Sequence, residues 1–292
     1  MATKQVLTAA HSGEFWIGGG LPVRRLGLGA MRITGKGVWG EPENRNEAIR
    51  VLRRAVELGV NFIDTADSYG PKVSEELIAE ALYPYPSGLV IATKAGFDRP
   101  GPDKWVMNGR PDHLRAALEG SLRRLRLERI DLFQLHRIDP AVPASEQFGT
   151  LKDMQQQGKI RHIGLSEVSV AQIADACKVI PVSTVQNRYS VTDRAAEEVL
   201  KVCESLSIGF IPWFPLAAGK ISAAGNALET VAARAGVSSS QLALAWLLWR
   251  SPVMLPIPGT SRVDHLEQNI ASANLKIDEN ILGALTQLVQ TA

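Results

Sequence analysis

The sequence predicts an α/β fold, a (β/α)8 TIM barrel with an N-terminal β-hairpin. Three observations predict it. Eight short apolar, β-rich runs recur, near residues 26–30, 60–64, 89–93, 130–135, 162–165, 184–186, 209–213 and 254–257. Amphipathic stretches lie between most of them, and such alternation is the pattern of a parallel sheet with right-handed crossovers. Eight units is the number that closes into a barrel. No linker or low-complexity segment breaks the 292 residues, so residues 1–292 are expected to form a single domain.

The elements can be justified in order. Phe15-Trp16-Ile17 and Leu21-Pro22-Val23 flank Gly18-Gly19-Gly20, which reads as a hairpin. No helical pattern follows the triple glycine, which argues against a phosphate loop. Residues 46–58 place Ala48, Val51, Leu52, Ala55 and Val56 on one stripe of a helix. Asp112 is expected to cap a helix over 113–125. Residues 238–249 are strongly apolar, with Leu242, Ala245, Trp246 and Trp249 at helical spacing, a face expected to pack on the sheet. A last helix is expected over 278–289. Two connections are unusually long: 32–44 carries Trp39, and 96–111 carries Phe97, Trp105 and Met107. Long ordered loops with aromatics suit the walls of a pocket.

Composition narrows the function. Hydrophobic residues make up 45% of the chain, ample for a large core, and the net charge of +2 creates no general field for nucleic acid or membrane. No apolar run approaches the ~20 residues of a membrane span, and no signal-like segment opens the chain. Cys177 and Cys203 lie in helix-like stretches and read as two buried thiols in a reducing compartment. No Cys or His pair has metal-ligand spacing, so no metal site is expected. These features lead us to expect a soluble cytoplasmic protein that acts on a small molecule.

The chemistry gathers where apolar runs stop. Val60-Asn61-Phe62-Ile63 ends in Asp64, and Thr65-Ala66-Asp67-Ser68-Tyr69-Gly70 follows. Leu89-Val90-Ile91-Ala92-Thr93 runs into Lys94, and Ile130-Asp131-Leu132-Phe133-Gln134-Leu135 runs into His136. A carboxylate at the end of a buried strand needs a cationic or hydrogen-bonding partner. In a barrel the C-terminal strand ends converge, so Asp64, Lys94 and His136 are expected on one face with Tyr69. A phenol is a weak proton donor at neutral pH, and a nearby ammonium pulls its pKa toward the working range. His136 can hydrogen-bond a carbonyl oxygen.

The segments DTADSYG, TKAG and QLH, in that order, resemble the aldo-keto reductase family, and the resemblance extends from about residue 26 to about residue 274. It implies NADPH-dependent reduction of an aldehyde or ketone. Tyr69 would be the general acid, Lys94 and Asp64 its tuning pair, and His136 the substrate-orienting group. It also implies that Ser166 and Gln186 hold the nicotinamide carboxamide, that Trp213 stacks on the ring, and that Phe214, Pro215, Leu216 and Gly219 border the phosphates. Gly259, Thr260, Ser261, Arg262, His265, Gln268 and Asn269 match the adenosine-phosphate segment. There Arg262 could clamp a 2′-phosphate, which favours NADPH over NADH. The chain departs from the family pattern at Glu167, usually Asn; at Trp213, usually Tyr; at Phe214, often Ser; and at Ala217-Ala218, usually Gly-Arg.

GVWGEP, LYPYP, MQQQGKIRHIGLSEV and PWFPL resemble a bacterial subgroup that includes pyridoxal reductases. Trp39, Trp105, Tyr69 and His136 are the expected substrate-binding residues, and Trp39, Trp105, Trp213 and Phe214 would suit a flat aromatic or heteroaromatic aldehyde. Arg137, just after His136, reads equally as a contact for an anionic substituent or as a surface arginine. The protein is expected to be a monomer or weak homo-oligomer. A competing reading is an NADPH-binding regulatory or sensor protein on the same barrel, like potassium-channel β subunits. Another is a phosphate-binding barrel enzyme of unrelated chemistry, which predicts no nicotinamide binding.

Overall fold

In the computed structural model, the described residues are 6–216 and 226–276, with Asp278, Asn280, Ile281 and Leu285. Strands β1 (Glu14–Ile17) and β2 (Leu21–Arg24) pair antiparallel. Gly18 and Gly19 have φ of 57° and 73°, a backbone that only glycine adopts without strain, and so the turn is tight. The main sheet has seven strands. These are β3 (Leu28–Gly29), β4 (Phe62–Asp64), β5 (Val90–Ala95), β8 (Ile130–Leu135), β9 (Ile160–Ser166), β10 (Val182–Arg188) and β11 (Gly209–Trp213). Every neighbouring pair runs parallel, in the order β11-β10-β9-β8-β5-β4-β3.

The expected eighth strand, at 254–257, is a seam rather than a ladder. Phe210 N–H donates to Val253 O and Leu255 N–H to Phe210 O on one side, while Gly27 N–H donates to Pro256 O and Gly29 N–H to Pro258 O on the other. The segment therefore bridges both edge strands of the sheet. Pro256 and Pro258 have no N–H to give, so bonding on that side runs one way only.

Side chains alternate across each strand, and this creates two cores. Ile63, Ile91, Phe133, Ile163 and Phe210 face outward and pack with the helices. Phe62, Val90, Ala92, Leu132, Ile211, Leu255 and Ile257 face inward and form a separate cluster with Ile17, Leu21 and Val23. The N-terminal hairpin thus fills the inside of the curled sheet at one end, which leaves the other end free for a site.

The helices largely follow their sequence patterns. Helix α1 (Arg45–Glu57) buries Ala48, Val51, Leu52 and Ala55, and Asn44 caps it by accepting from Glu47 N–H. Helix α2 (Val73–Leu82) begins just past Tyr69. Helix α3 (Pro111–Leu125) starts two residues earlier than expected, with Arg110 as N-cap and Pro111 at the first position, where its fixed φ is already helical. Asp112 is therefore within the first turn and not the cap. Paired with Arg110 and the His113 N–H, its carboxyl is lowered to about 2.

Helices α4 (Ala144–Gln156), α5 (Val170–Cys177), α6 (Glu197–Leu206), α7 (Asn226–Arg234), α8 (Ser239–Arg250) and α9 (Val263–Ala271) complete the series. Ser238 and Gln241 form a reciprocal capping box on α8. Leu242, Ala245 and Trp246 are buried as expected, and Trp246 stacks on Tyr189. Trp249, at 54% exposure, is not part of the core: it shares the stripe but is the next-to-last residue of α8. Cys203 is buried and its thiol pushed up to about 12, but Cys177 is exposed, so only one of the two thiols is a core residue. No helix among the described residues is long and apolar enough to cross a membrane. The helix expected over 278–289 lies mostly outside the described residues.

The long connection at 96–111 is not a loop. It forms a second hairpin, β6 (Phe97–Gly101) and β7 (Lys104–Met107), paired antiparallel beside the C-terminal end of β5.

Candidate active site

The C-terminal ends of the strands bring the expected residues together. Asp64 ends β4, Lys94 lies near the end of β5, and His136 directly follows β8. Lys94 has no exposed surface and Asp64 only 2%. Lys94 Nζ donates to Asp64 Oδ1 at 2.6 Å and to Thr65 O at 2.6 Å, and sits 5.0 Å from the Tyr69 ring centroid. Burial opposes the ammonium charge, yet Asp64, helped by Tyr69, outweighs it and holds Lys94 above its usual range. The other carboxylate oxygen, Asp64 Oδ2, accepts from Gln134 Nε2 and Gln186 Nε2, both at 2.9 Å.

Tyr69 does not titrate as the sequence suggested. Burial raises its phenol above the usual range; Lys94 pulls the other way, but Asp64 reinforces the rise. Tyr69 is therefore a protonated donor at neutral pH, aimed at a cavity, with its charge-stabilising partner already in place.

His136 is caged by aromatic rings. Phe97, Tyr69 and Trp105 meet it edge-on with centroids at 4.8, 5.9 and 6.1 Å. Its Nδ1 lies 3.3 Å from Ser68 Oγ, which leaves Nε2 for a ligand. Burial, reinforced by Lys94, Arg137 and Arg99, holds its pKa well below 6.5, so it stays neutral. A measurable consequence is acid sensitivity. The unfolded chain takes up a proton near pH 6.5 that folded His136 refuses, so stability falls as pH drops below that value. His136→Asn should flatten the acid side of a plot of Tm against pH; an unchanged slope would show that other groups carry it.

These residues border a cavity of about 730 Å³, within the ~300–1,000 Å3 usual for small-molecule sites. Asp64, Tyr69, Phe97, Trp105, His136 and Arg137 line one part. Ser166, Gln186, Trp213, Phe214, Pro215 and Leu216 line the next, and Gly259, Thr260, Ser261, His265, Gln268 and Asn269 continue it. Lys94 is buried below Tyr69. Gly219 lies outside the described residues.

Two expected residues do not line this cavity. Trp39 is set behind Arg99, whose guanidinium is 3.6 Å from the Trp105 centroid and 5.7 Å from that of Trp39. Arg99 also donates to Ser68 O at 2.6 Å, Lys104 O at 2.8 Å and Gly37 O at 3.1 Å, and so ties two loops to the β6–β7 hairpin. Arg262 turns to Asp264, donating from Nε to Oδ1 at 2.9 Å. The start of α9 is partly capped from within, since Glu47 Oε1 accepts from Val263 N–H and Asp264 Oδ1 from His265 N–H. An anion at this helix start would compete with both carboxylates.

Glu167 is the informative departure. It sits at φ 55°, a left-handed backbone that suits Asn better than Glu. Its Oε1 accepts from Arg188 N–H at 2.7 Å and from Trp213 Nε1. The carboxylate therefore orients the indole, whose face borders the cavity.

Met31, Arg32 and Ser240 line the cavity and Gln134 holds Asp64, and none of the four was an expected site residue. Gln134 alone carried a signal, as a polar side chain within an apolar run. Among the described residues no group of three or more His, Cys, Asp or Glu is placed to hold a metal ion.

A buried Asp–Lys pair under a tyrosine and a neutral histidine, at the strand ends of a curled parallel sheet, defines a class. Residues 25–290 match the model of the aldo/keto reductase family, and the chain belongs to that family of oxidoreductases. It is 49% identical over 98% of its length to an uncharacterized oxidoreductase of Schizosaccharomyces pombe, covering 93% of that protein. It is 43% identical over 90% of its length to pyridoxine 4-dehydrogenase of Escherichia coli, covering 94% of it. Among solved structures, glycerol dehydrogenase from Gluconobacter oxydans aligns with a TM-score of 0.87 at 27% identity, covering 96% of each chain. An aldo/keto reductase of Klebsiella pneumoniae in complex with NADP and acetate aligns with a TM-score of 0.78 at 25% identity, covering 94% of this chain and 95% of that one.

Proposed function

We propose that the protein is an NADPH-dependent reductase of aldehydes or ketones, acting on a (β/α)8 barrel closed by the 253–259 seam. The observation that carries the reading is the Lys94 ammonium, held between Asp64 and the Tyr69 ring at the base of the cavity. The cavity suits the cofactor: Trp213 offers a flat, half-buried face, Ser166 and Gln186 offer polar groups beside it, and small hydroxyls and amides follow toward α9. When bound, NADPH supplies the hydride.

The chain's own groups do the rest. Neutral His136 uses Nε2 to orient the carbonyl oxygen. Tyr69 gives its proton to that oxygen as charge develops on it. Lys94 stabilises the phenolate left behind, and Asp64, itself held by Gln134 and Gln186, keeps Lys94 charged. Phe97 and Trp105 suit a flat aromatic or heteroaromatic aldehyde. Similarity to pyridoxine 4-dehydrogenase supports pyridoxal as one candidate.

The test is oxidation of NADPH by purified protein against an aldehyde panel that includes pyridoxal and nitrobenzaldehyde, with tryptophan fluorescence titrated in parallel. Turnover supports the reading. Absence of both turnover and quenching by NADPH would overturn it.

Cofactor choice has its own test. Arg262 can swing from Asp264 to a 2′-phosphate, and a charge-assisted contact of this kind contributes roughly 1.5–3 kcal/mol. Arg262→Ala should raise the KM for NADPH about tenfold or more and leave that for NADH nearly unchanged. Equal effects on both cofactors would remove Arg262 from the 2′-phosphate site.

A further inference from the structure

Arg137 is a cation in the cavity wall with most of its hydrogen-bonding capacity unused. Its Nη1 donates to His136 O at 2.6 Å and Ser166 Oγ at 3.0 Å, and its guanidinium carbon lies 5.7 Å from the Phe97 ring centroid. Nε and Nη2 donate to no protein acceptor among the described residues, and no carboxylate there forms an ion pair with it. The nearest acidic influence is Glu167, and Glu167 Oε1 is taken by Trp213 and Arg188.

Two other guanidiniums near the site are differently engaged, and a third, Arg32, lines the cavity beside Gly259. Arg99 spends its donors on three backbone carbonyls, and Arg262 faces Asp264. Arg137 instead lines the cavity directly after His136, beside the apolar faces of Phe97 and Trp105. A partly desolvated cation held in place by two hydrogen bonds is costly unless something anionic meets it. A guanidinium fork presents paired donors that match a carboxylate or phenolate oxygen.

We propose that Arg137 is a specificity-determining residue, and that the preferred substrates are aldehydes carrying an anionic carboxylate or phenolate oxygen on a flat ring. The ring lies against Phe97 and Trp105, the carbonyl meets His136 and Tyr69, and the anion meets Nε and Nη2 of Arg137. This rests on the reductase reading above.

The test compares benzaldehyde with the isomeric carboxybenzaldehydes and with salicylaldehyde, using NADPH as the reductant. Wild type should show a kcat/KM for at least one anionic aldehyde about tenfold or more above that for benzaldehyde, a gap of the size charge-assisted contacts produce. Arg137→Gln should erase that gap by raising the KM for the anionic aldehydes, and be partly rescued by Arg137→Lys. Benzaldehyde turnover without any anionic preference would overturn this inference and leave the reductase reading intact. An equal loss for charged and neutral aldehydes in Arg137→Gln would also overturn it, because Arg137 would then serve only to hold Ser166. A second measurement does not depend on turnover: benzoate, but not benzamide, should quench tryptophan fluorescence of the NADPH complex, and Arg137→Gln should weaken that binding. Equal binding of the two would count against the proposal. Absence of any aldehyde reduction would instead strike at the reductase reading.

Discussion

Tyr69→Phe is expected to lower kcat by about three orders of magnitude, within the ~10²–10⁴-fold span of general acid catalysis. The phenol is a protonated donor that borders the cavity with an ammonium behind it, and phenylalanine keeps the ring contacts with Trp105 and His136. Removing the hydroxyl therefore takes away the proton and little else. NADPH affinity, read by fluorescence titration, should stay within about twofold, because none of the groups proposed to hold the cofactor changes. A variant that keeps wild-type turnover would remove Tyr69 from the mechanism. A variant that loses cofactor affinity in step with kcat would make Tyr69 a structural part of the binding site.

Lys94→Met carries the largest expected effect on folding. Lys94 and Asp64 are both buried, and removing one partner of such a pair costs roughly 3–5 kcal/mol because the remaining charge is stranded. Thr65 O also loses its donor, and Gln134 and Gln186 alone cannot compensate a full carboxylate. Denaturant unfolding should show this loss as a lower midpoint with an unchanged slope. Asp64→Asn combined with Lys94→Met should be less damaging than the two single losses added together, since the second change removes a charge that the first left unpaired. Simple additivity would mean that the two groups are not energetically coupled. Catalysis should fall in every one of these variants.

Much of this site was legible because burial and charge conflict in an obvious way. Asp64, Lys94 and His136 each end an apolar run, and a charged group there demands an explanation before any coordinates are known. The helix faces were legible from periodicity: Ala48, Val51, Leu52 and Ala55 recur three and four residues apart and are buried. Other features depend on long-range geometry that spacing does not encode. Trp39 was expected in the pocket wall, but Arg99 arrives from a hairpin sixty positions later in the chain and takes the intervening place. That hairpin read as a loop because Pro100 and Gly101 interrupt its alternation. Arg262 read as a phosphate clamp, yet Asp264, two residues on, already engages it. The upward shift of Tyr69 was missed because the sequence shows that an ammonium is near, but not how thoroughly the phenol is shut away from water.

The seam at 253–259 gives the molecule a mechanical weak line. The central strand pairs of the sheet are stitched by longer ladders, whereas the seam holds each edge by two backbone hydrogen bonds, and its prolines have no N–H to add others. Under a pulling force, or in the rare openings sampled by hydrogen exchange, the ring should part there first, between Gly29 and Pro258. The parting edge is also one rim of the cavity, since Gly29, Ile257 and Pro258 line it. A cofactor lying across that rim would act as a clasp, slowing exchange at Gly27 and Gly29 more than at amides inside the β8–β9 ladder.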